Sequence, residues 1–212
     1  MEQLVFQASL ETLIMVSVSM ILGTVLGALL ATCLTLTKPK GLWPKPLFFY
    51  ALEVFLNIFR SIPFIILIIL MIPFTRFWVG TSIGTAAATL PLTLAAGLLM
   101  TRVIEDALNT TPNGLIEVGK ALGASNLQII VKIQFREALP LIISGLTTVS
   151  INIIGFSAMA GTVGGGGLGD LALRYGYQRY DFTLLMIVVM ILIIMVQGVQ
   201  MFGHYFASKL KK

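Results

Sequence analysis

Four stretches of the chain, residues 12–37, 77–101, 138–169 and 182–208, contain no Asp, Glu, Lys or Arg. Crossing a bilayer as a helix takes about 20 consecutive apolar residues, and each stretch is long enough. A fifth apolar run, residues 61–75, is too short unless its helix starts ahead of Arg60. The pattern predicts an all-α integral membrane protein forming one domain over residues 1–212. Its five transmembrane helices fall at about 12–36, 48–74, 80–101, 139–160 and 182–206. Between the third and fourth lies a segment, about 111–138, that cannot cross, because it carries Glu117, Lys120, Lys132, Arg136 and Glu137. Its local signals predict two short helices joined by a turn. Thr111 can cap the first, and Pro112 loses no hydrogen bond at the opening position. Gly123 stops that helix by entering the left-handed region cheaply. Ser125 with Gln128 three residues on reads as a capping box that starts the second.

Composition agrees: 57% of residues are hydrophobic and 11% charged, where a typical soluble domain has about 25% charged. The net charge is +5, and its distribution is informative. Lys38, Lys40 and Lys45 lie between the first two spans. Arg102, Lys120, Lys132 and Arg136 lie between the third and fourth, and Lys209, Lys211 and Lys212 end the chain. Five crossings put these groups on one side, and cytoplasmic loops are enriched in Lys and Arg. The N-terminus is therefore expected outside and the C-terminus in the cytoplasm. The first apolar run exceeds a signal-peptide core and lacks a basic lead, so it is read as a retained span. Nucleic acid is excluded as a partner because no soluble basic face exists. The lone Cys33 excludes an intrachain disulfide or a cysteine metal site.

Several positions carry candidate chemistry. Ser144, Thr148, Asn152, Gly155 and Met159 recur at helical spacing and form one stripe along the fourth span. Polar groups in lipid need partners, so the stripe is expected to face other helices or a substrate path, with Ser144, Thr148, Asn152 and Met159 as path candidates. Gly23 and Gly27 have the spacing that lets another helix approach closely, or are chance glycines. Glu53, Asn57 and Arg60 share a helix face; either Glu53 pairs with Arg60 toward the bundle, or both sit near the cytoplasmic surface. Pro91 favours a kink in the third span. Gly164, Gly166 and Gly169 fit a G-x-G-x-x-G spacing, but no strand precedes them, so a dinucleotide site is rejected. The run is expected to be a flexible outer turn that another protein approaches, followed by an interfacial segment over 171–181. His204 reads as an interfacial residue.

The segment Glu117-Val118-Gly119-Lys120-Ala121-Leu122-Gly123-Ala124-Ser125 resembles the "EAA" loop of permeases from ATP-binding-cassette (ABC) importers, with Val118-Gly119 where two alanines are usual. Phe59-Arg60-Ser61-Ile62-Pro63 resembles a second segment of that family. The glycine run continuing into Gly-Asp-Leu-Ala and Arg174-Tyr175-Gly176-Tyr177-Gln178-Arg179 resembles the permease subunits of bacterial methionine importers. The resemblance implies the type I importer permease fold in a bacterial inner membrane. It also implies a coupling role for Glu117, Gly119, Lys120, Ala121, Leu122, Gly123, Ala124 and Ser125. The implied partners are a second copy of the chain, two copies of an ABC ATPase, an extracytoplasmic methionine-binding (lipo)protein and membrane lipid. The chain itself is expected to be no enzyme and to hold no cofactor, with ATP and magnesium bound by the ATPase. An ion-coupled transporter would want ionisable residues at membrane depth, and spans one, three, four and five contain no Asp, Glu, Lys or Arg. An intramembrane enzyme would lack catalytic groups.

Overall fold

The structure, a computed structural model, describes residues 2–210, which include no strand. Helices α1 (Glu2–Thr37), α4 (Thr85–Asn109), α7 (Phe135–Ala160) and α9 (Phe182–Leu210) are long and apolar enough to cross a membrane. Between α1 and α4 lie α2 (Pro46–Arg60) and α3 (Phe64–Val79), which meet at 105°. The remaining elements are α5 (Asn113–Ala121), α6 (Asn126–Gln128), α8 (Gly167–Leu171) and wider-turn stretches at Ile129–Gln134, Gly161–Gly165 and Ala172–Tyr177. The core sits between α1, α4 and α7, where Met15, Leu92, Ala96, Met100, Ile104 and Ile153 are fully buried. α9 packs on the outer side of α7.

Gly23 and Gly27 set the closest approach in this core. A Cβ on Gly23 would lie 2.5 Å from Ala96 Cβ, and one on Gly27 would lie 2.6 Å from Met100 Cβ. The two glycines therefore let α1 lie directly on α4, which makes dispersion contacts along its length in place of side-chain bulk. α4 continues through the buried Pro91 without a break.

The structure corrects three boundaries. The second span is not one helix: it breaks at residues 61–63, where Pro63 sits at ψ 137° as the N-cap of α3. A proline biases the residue before it away from helical geometry, and hydropathy carries no information on direction. α1 begins near Glu2, ten residues ahead of the apolar run, so Glu11 and Thr12 lie within it. The second short helix is not separate either. α6 passes through a π-helical stretch, Ile129–Gln134, into α7, so the helical run continues unbroken from Asn126 through Ala160.

One end of the bundle gathers the α1–α2 connection with α5 and α6. There Lys38 Nζ donates to Asn109 Oδ1 at 2.7 Å and Asn126 Nδ2 donates to the Leu42 carbonyl at 3.0 Å. The other end gathers the α3–α4 connection with the glycine run, where the Gly84 amide donates to the Gly164 carbonyl at 2.8 Å.

Candidate functional site

Helix α5 is a nine-residue lever with a defined stop. The Gly123 amide donates to the Lys120 carbonyl and the Ala124 amide to the Gly119 carbonyl, both at 3.0 Å. This is a Schellman ending, and Gly123 supplies the left-handed residue it needs at φ 75°. Across the turn, the Ser125 hydroxyl accepts from the Gln128 amide and the Gln128 side chain accepts from the Ser125 amide. Every signal after Lys120 is thus local and matched. The start differs: Pro112 is the N-cap, and the Thr111 hydroxyl is buried without a partner rather than capping the helix. The restriction proline imposes on the preceding residue holds Thr111 outside the helix.

Seven of the eight predicted coupling residues lie at the surface of this segment. Glu117, Lys120, Ala121, Leu122, Gly123 and Ser125 are exposed and Ala124 half-buried. Gly119 instead faces inward, where a Cβ would lie 2.7 Å from Ile133 Cδ1, so its smallness seats the lever on the helix beyond the turn. The sequence reading missed the apolar side chains around the charges. Leu115, Val118 and Leu127 are exposed, and Leu122 reaches 81% exposure, in a segment too charged to enter lipid. Contiguous exposed apolar groups of this kind mark a protein interface. The signal was present in the alternation of Leu115, Val118 and Leu122 along one helix face.

The stripe on α7 is exposed throughout in the single chain. Ser144, Thr148, Asn152, Gly155 and Met159 all point away from the core formed with α4. Among the described residues Asn152 has no side-chain hydrogen bond, while Thr148 turns its hydroxyl back to the Ser144 carbonyl at 3.4 Å. Of the two alternatives at Arg60, the pairing with Glu53 is the one that fails. Its Nε donates to the Leu98 carbonyl at 3.2 Å and its Nη1 to Asn57 Oδ1 at 3.1 Å, with no pairing to Glu53 among the described residues.

The glycine run corrects a further expectation. It is packed into its own chain, with Gly161, Gly165, Gly167, Leu168 and Gly169 buried. A Cβ on Gly165 would lie 2.7 Å from the Ala160 carbonyl and 2.9 Å from Ala88 Cβ. α8 opens with amides that its own segment cannot satisfy, and α1 supplies the acceptors. The Gly167 amide donates to Glu11 Oε2 at 2.8 Å and the Leu168 amide to Thr12 Oγ1 at 2.9 Å. Thus α1 caps α8 across 156 residues of sequence. Farther on, Arg174 pairs with the buried Asp170, and that hydrogen bond raises the guanidinium pKa above its ordinary value. Tyr177 and Tyr180 stand exposed beyond it.

Residues 23–205 match the family described as binding-protein-dependent transport system inner membrane component. The chain belongs to that family. It is 45% identical over 200 residues to a probable D-methionine transport system permease protein MetI of Vibrio cholerae, covering 94% of this chain and 89% of that one. The corresponding protein of Pasteurella multocida is 39% identical over 207 residues, covering 98% and 95%. A structure titled as an inward-facing conformation of the MetNI methionine ABC transporter superposes with a TM-score of 0.97 at 40% identity. It covers 100% of this chain and 98% of that one. The fold is that of the type I importer permeases, and the chain is an inner-membrane transport component rather than an enzyme.

Proposed function

We propose that the chain is the permease subunit of an ATP-driven importer that carries methionine, in its L- and D-forms, into the cytoplasm. Two copies form the path. The observation that carries this reading is the exposed lever α5 with its Schellman stop, with apolar side chains set among Glu117 and Lys120. Such a surface outside the lipid suits a cleft on a separate ATPase. Methionine itself comes from the names of the relatives and of the superposed transporter.

The second copy is supported by the α7 stripe. A row of polar side chains on a spanning helix is costly against lipid, and a two-fold partner that encloses a wet path removes that cost. Ser144, Thr148, Asn152 and Met159 then line the path. ATP and magnesium bind the two ATPase subunits; their closure draws the levers together, and α7 transmits the movement so that the path opens outward to a methionine-loaded binding protein. Uptake is an exchange between two packings of the same helices. In this reading the N-terminus is outside and the lever cytoplasmic.

The test is uptake of labelled L- and D-methionine by proteoliposomes holding the chain, its ATPase and its binding protein. Uptake that requires ATP and stops with a hydrolysis-dead ATPase, the membrane potential being clamped, is the expected result. Accumulation driven by an ion gradient alone would overturn it.

A further inference from the structure

At the end of the bundle that carries the lever, a cavity of about 270 Å³ lies between the last turn of α1, the α1–α2 connection and α5. A single bound water needs only about 10–15 Å³, so the space suits a larger group. Its wall includes three ammonium-bearing residues, Lys38, Lys40 and Lys120, against one carboxylate, Glu117. That balance favours an anion. Two further lining residues, Thr35 and Gln134, are 3% and 2% exposed. Their side-chain oxygens have no partner. The Gln134 amide nitrogen donates to the Leu108 carbonyl at 3.5 Å, so the atom left over is an acceptor.

These demands together define the ligand. Ammonium groups call for a phosphate- or carboxylate-like centre, while the stranded Gln134 oxygen calls for a hydrogen-bond donor on the same molecule. Thr35 lies in the final turn of α1, and the exposed Trp43 carries Lys45 4.4 Å over its ring in the adjoining connection. Tryptophan and lysine beside a helix end mark the headgroup layer of a bilayer. We propose that this cavity binds a phosphate ester whose far end donates hydrogen bonds, the chemistry of a phosphatidylglycerol or phosphatidylethanolamine headgroup. Burial pushes the Lys38 ammonium below its ordinary pKa, with Glu105 opposing, and an anion in the cavity favours its charged form. The inference is independent of which solute is transported, and it ties the lever to the lipid at its base.

The test is thermal unfolding of the purified full chain in neutral detergent. The additions are short-chain phosphatidylglycerol, phosphatidylethanolamine, phosphatidylcholine, and the soluble ester glycerol 3-phosphate. Phosphatidylglycerol and phosphatidylethanolamine should raise the midpoint more than phosphatidylcholine, whose headgroup has no donor. The double variant Lys38→Gln/Lys40→Gln should weaken the apparent affinity about tenfold or more, and Lys40→Arg should retain it. Gln134→Leu should erase the difference between donor-bearing and donor-free lipids. Protection by lipid alone assigns the ester to the bilayer, and protection also by glycerol 3-phosphate assigns it to the phosphate group; both support the site. Equal shifts from all three lipids, or shifts unchanged in the double lysine variant, overturn it. Lys40 is exposed, so Lys40→Gln alone serves as the variant that keeps its fold.

Discussion

The lever and the glycine run are both short, glycine-punctuated helices hung on the ends of α7, yet they are built in opposite senses. The glycine run turns inward: its amides are capped by Glu11 and Thr12 of α1, and Gly161, Gly165 and Gly169 lie against backbone. The lever turns outward. Its stop and the capping box after it are satisfied within about ten residues of sequence by Gly119, Lys120, Ser125 and Gln128, and its apolar side chains remain uncovered. A segment that finishes its own hydrogen bonding can offer its surface to another protein without unravelling. A segment that borrows acceptors from a distant helix becomes part of that helix's core.

Substitutions of decreasing expected cost to stability test this contrast. Gly169→Val drives a branched side chain into the Ala158 backbone. Overpacking costs about 1–3 kcal/mol where neighbours can yield, and backbone cannot, so no folded chain should be recovered by size-exclusion chromatography. Glu11→Ala leaves the Gly167 amide without its acceptor and should lower unfolding stability by about 1–3 kcal/mol; Glu11→Gln keeps an oxygen there and should lose much less. Gly123→Val forces a β-branched residue to positive φ in open space, a backbone cost of about 1–3 kcal/mol confined to the lever. The bundle should melt normally while ATP-driven uptake collapses. Leu122→Asp, at a fully solvated position, should change stability by less than about 0.5 kcal/mol and still abolish co-purification with the ATPase. A Leu122→Asp chain that melts early, or a Glu11→Ala chain as stable as the wild type, would erase the distinction.

What could be read from the chain alone follows the range of the interactions. Helices α4, α7 and α9 announce themselves because apolar length is all that lipid requires, although α4 starts at Thr85 and runs on to Asn109, past the charges from Arg102 that ended the predicted span. The Gly123 stop and the Ser125–Gln128 box are visible because both partners sit within a few residues. Glu11 was not legible as a capping residue, since its amide partner lies 156 positions away. Nor was the 105° turn between α2 and α3, because hydropathy is blind to direction, although Pro63 was the available hint. Thr111 failed for a different reason: two start signals competed, and Pro112 took the cap position. Gly119 was grouped with its exposed neighbours by motif, whereas the chain reversal after Gly123 packs Ile129 and Ile133 against it.

The passage from α6 through the π-helical stretch into α7 has a mechanical corollary. From Asn126 to Ala160 no loop interrupts the backbone, so at about 1.5 Å per residue the element is a strut of roughly 50 Å. A torque applied at its base has no slack joint in which to dissipate before it reaches the opposite surface. Compliance along it is confined to its lower part, at the wide-turn section Ile129–Gln134 and at Pro140, whose missing amide removes one backbone hydrogen bond.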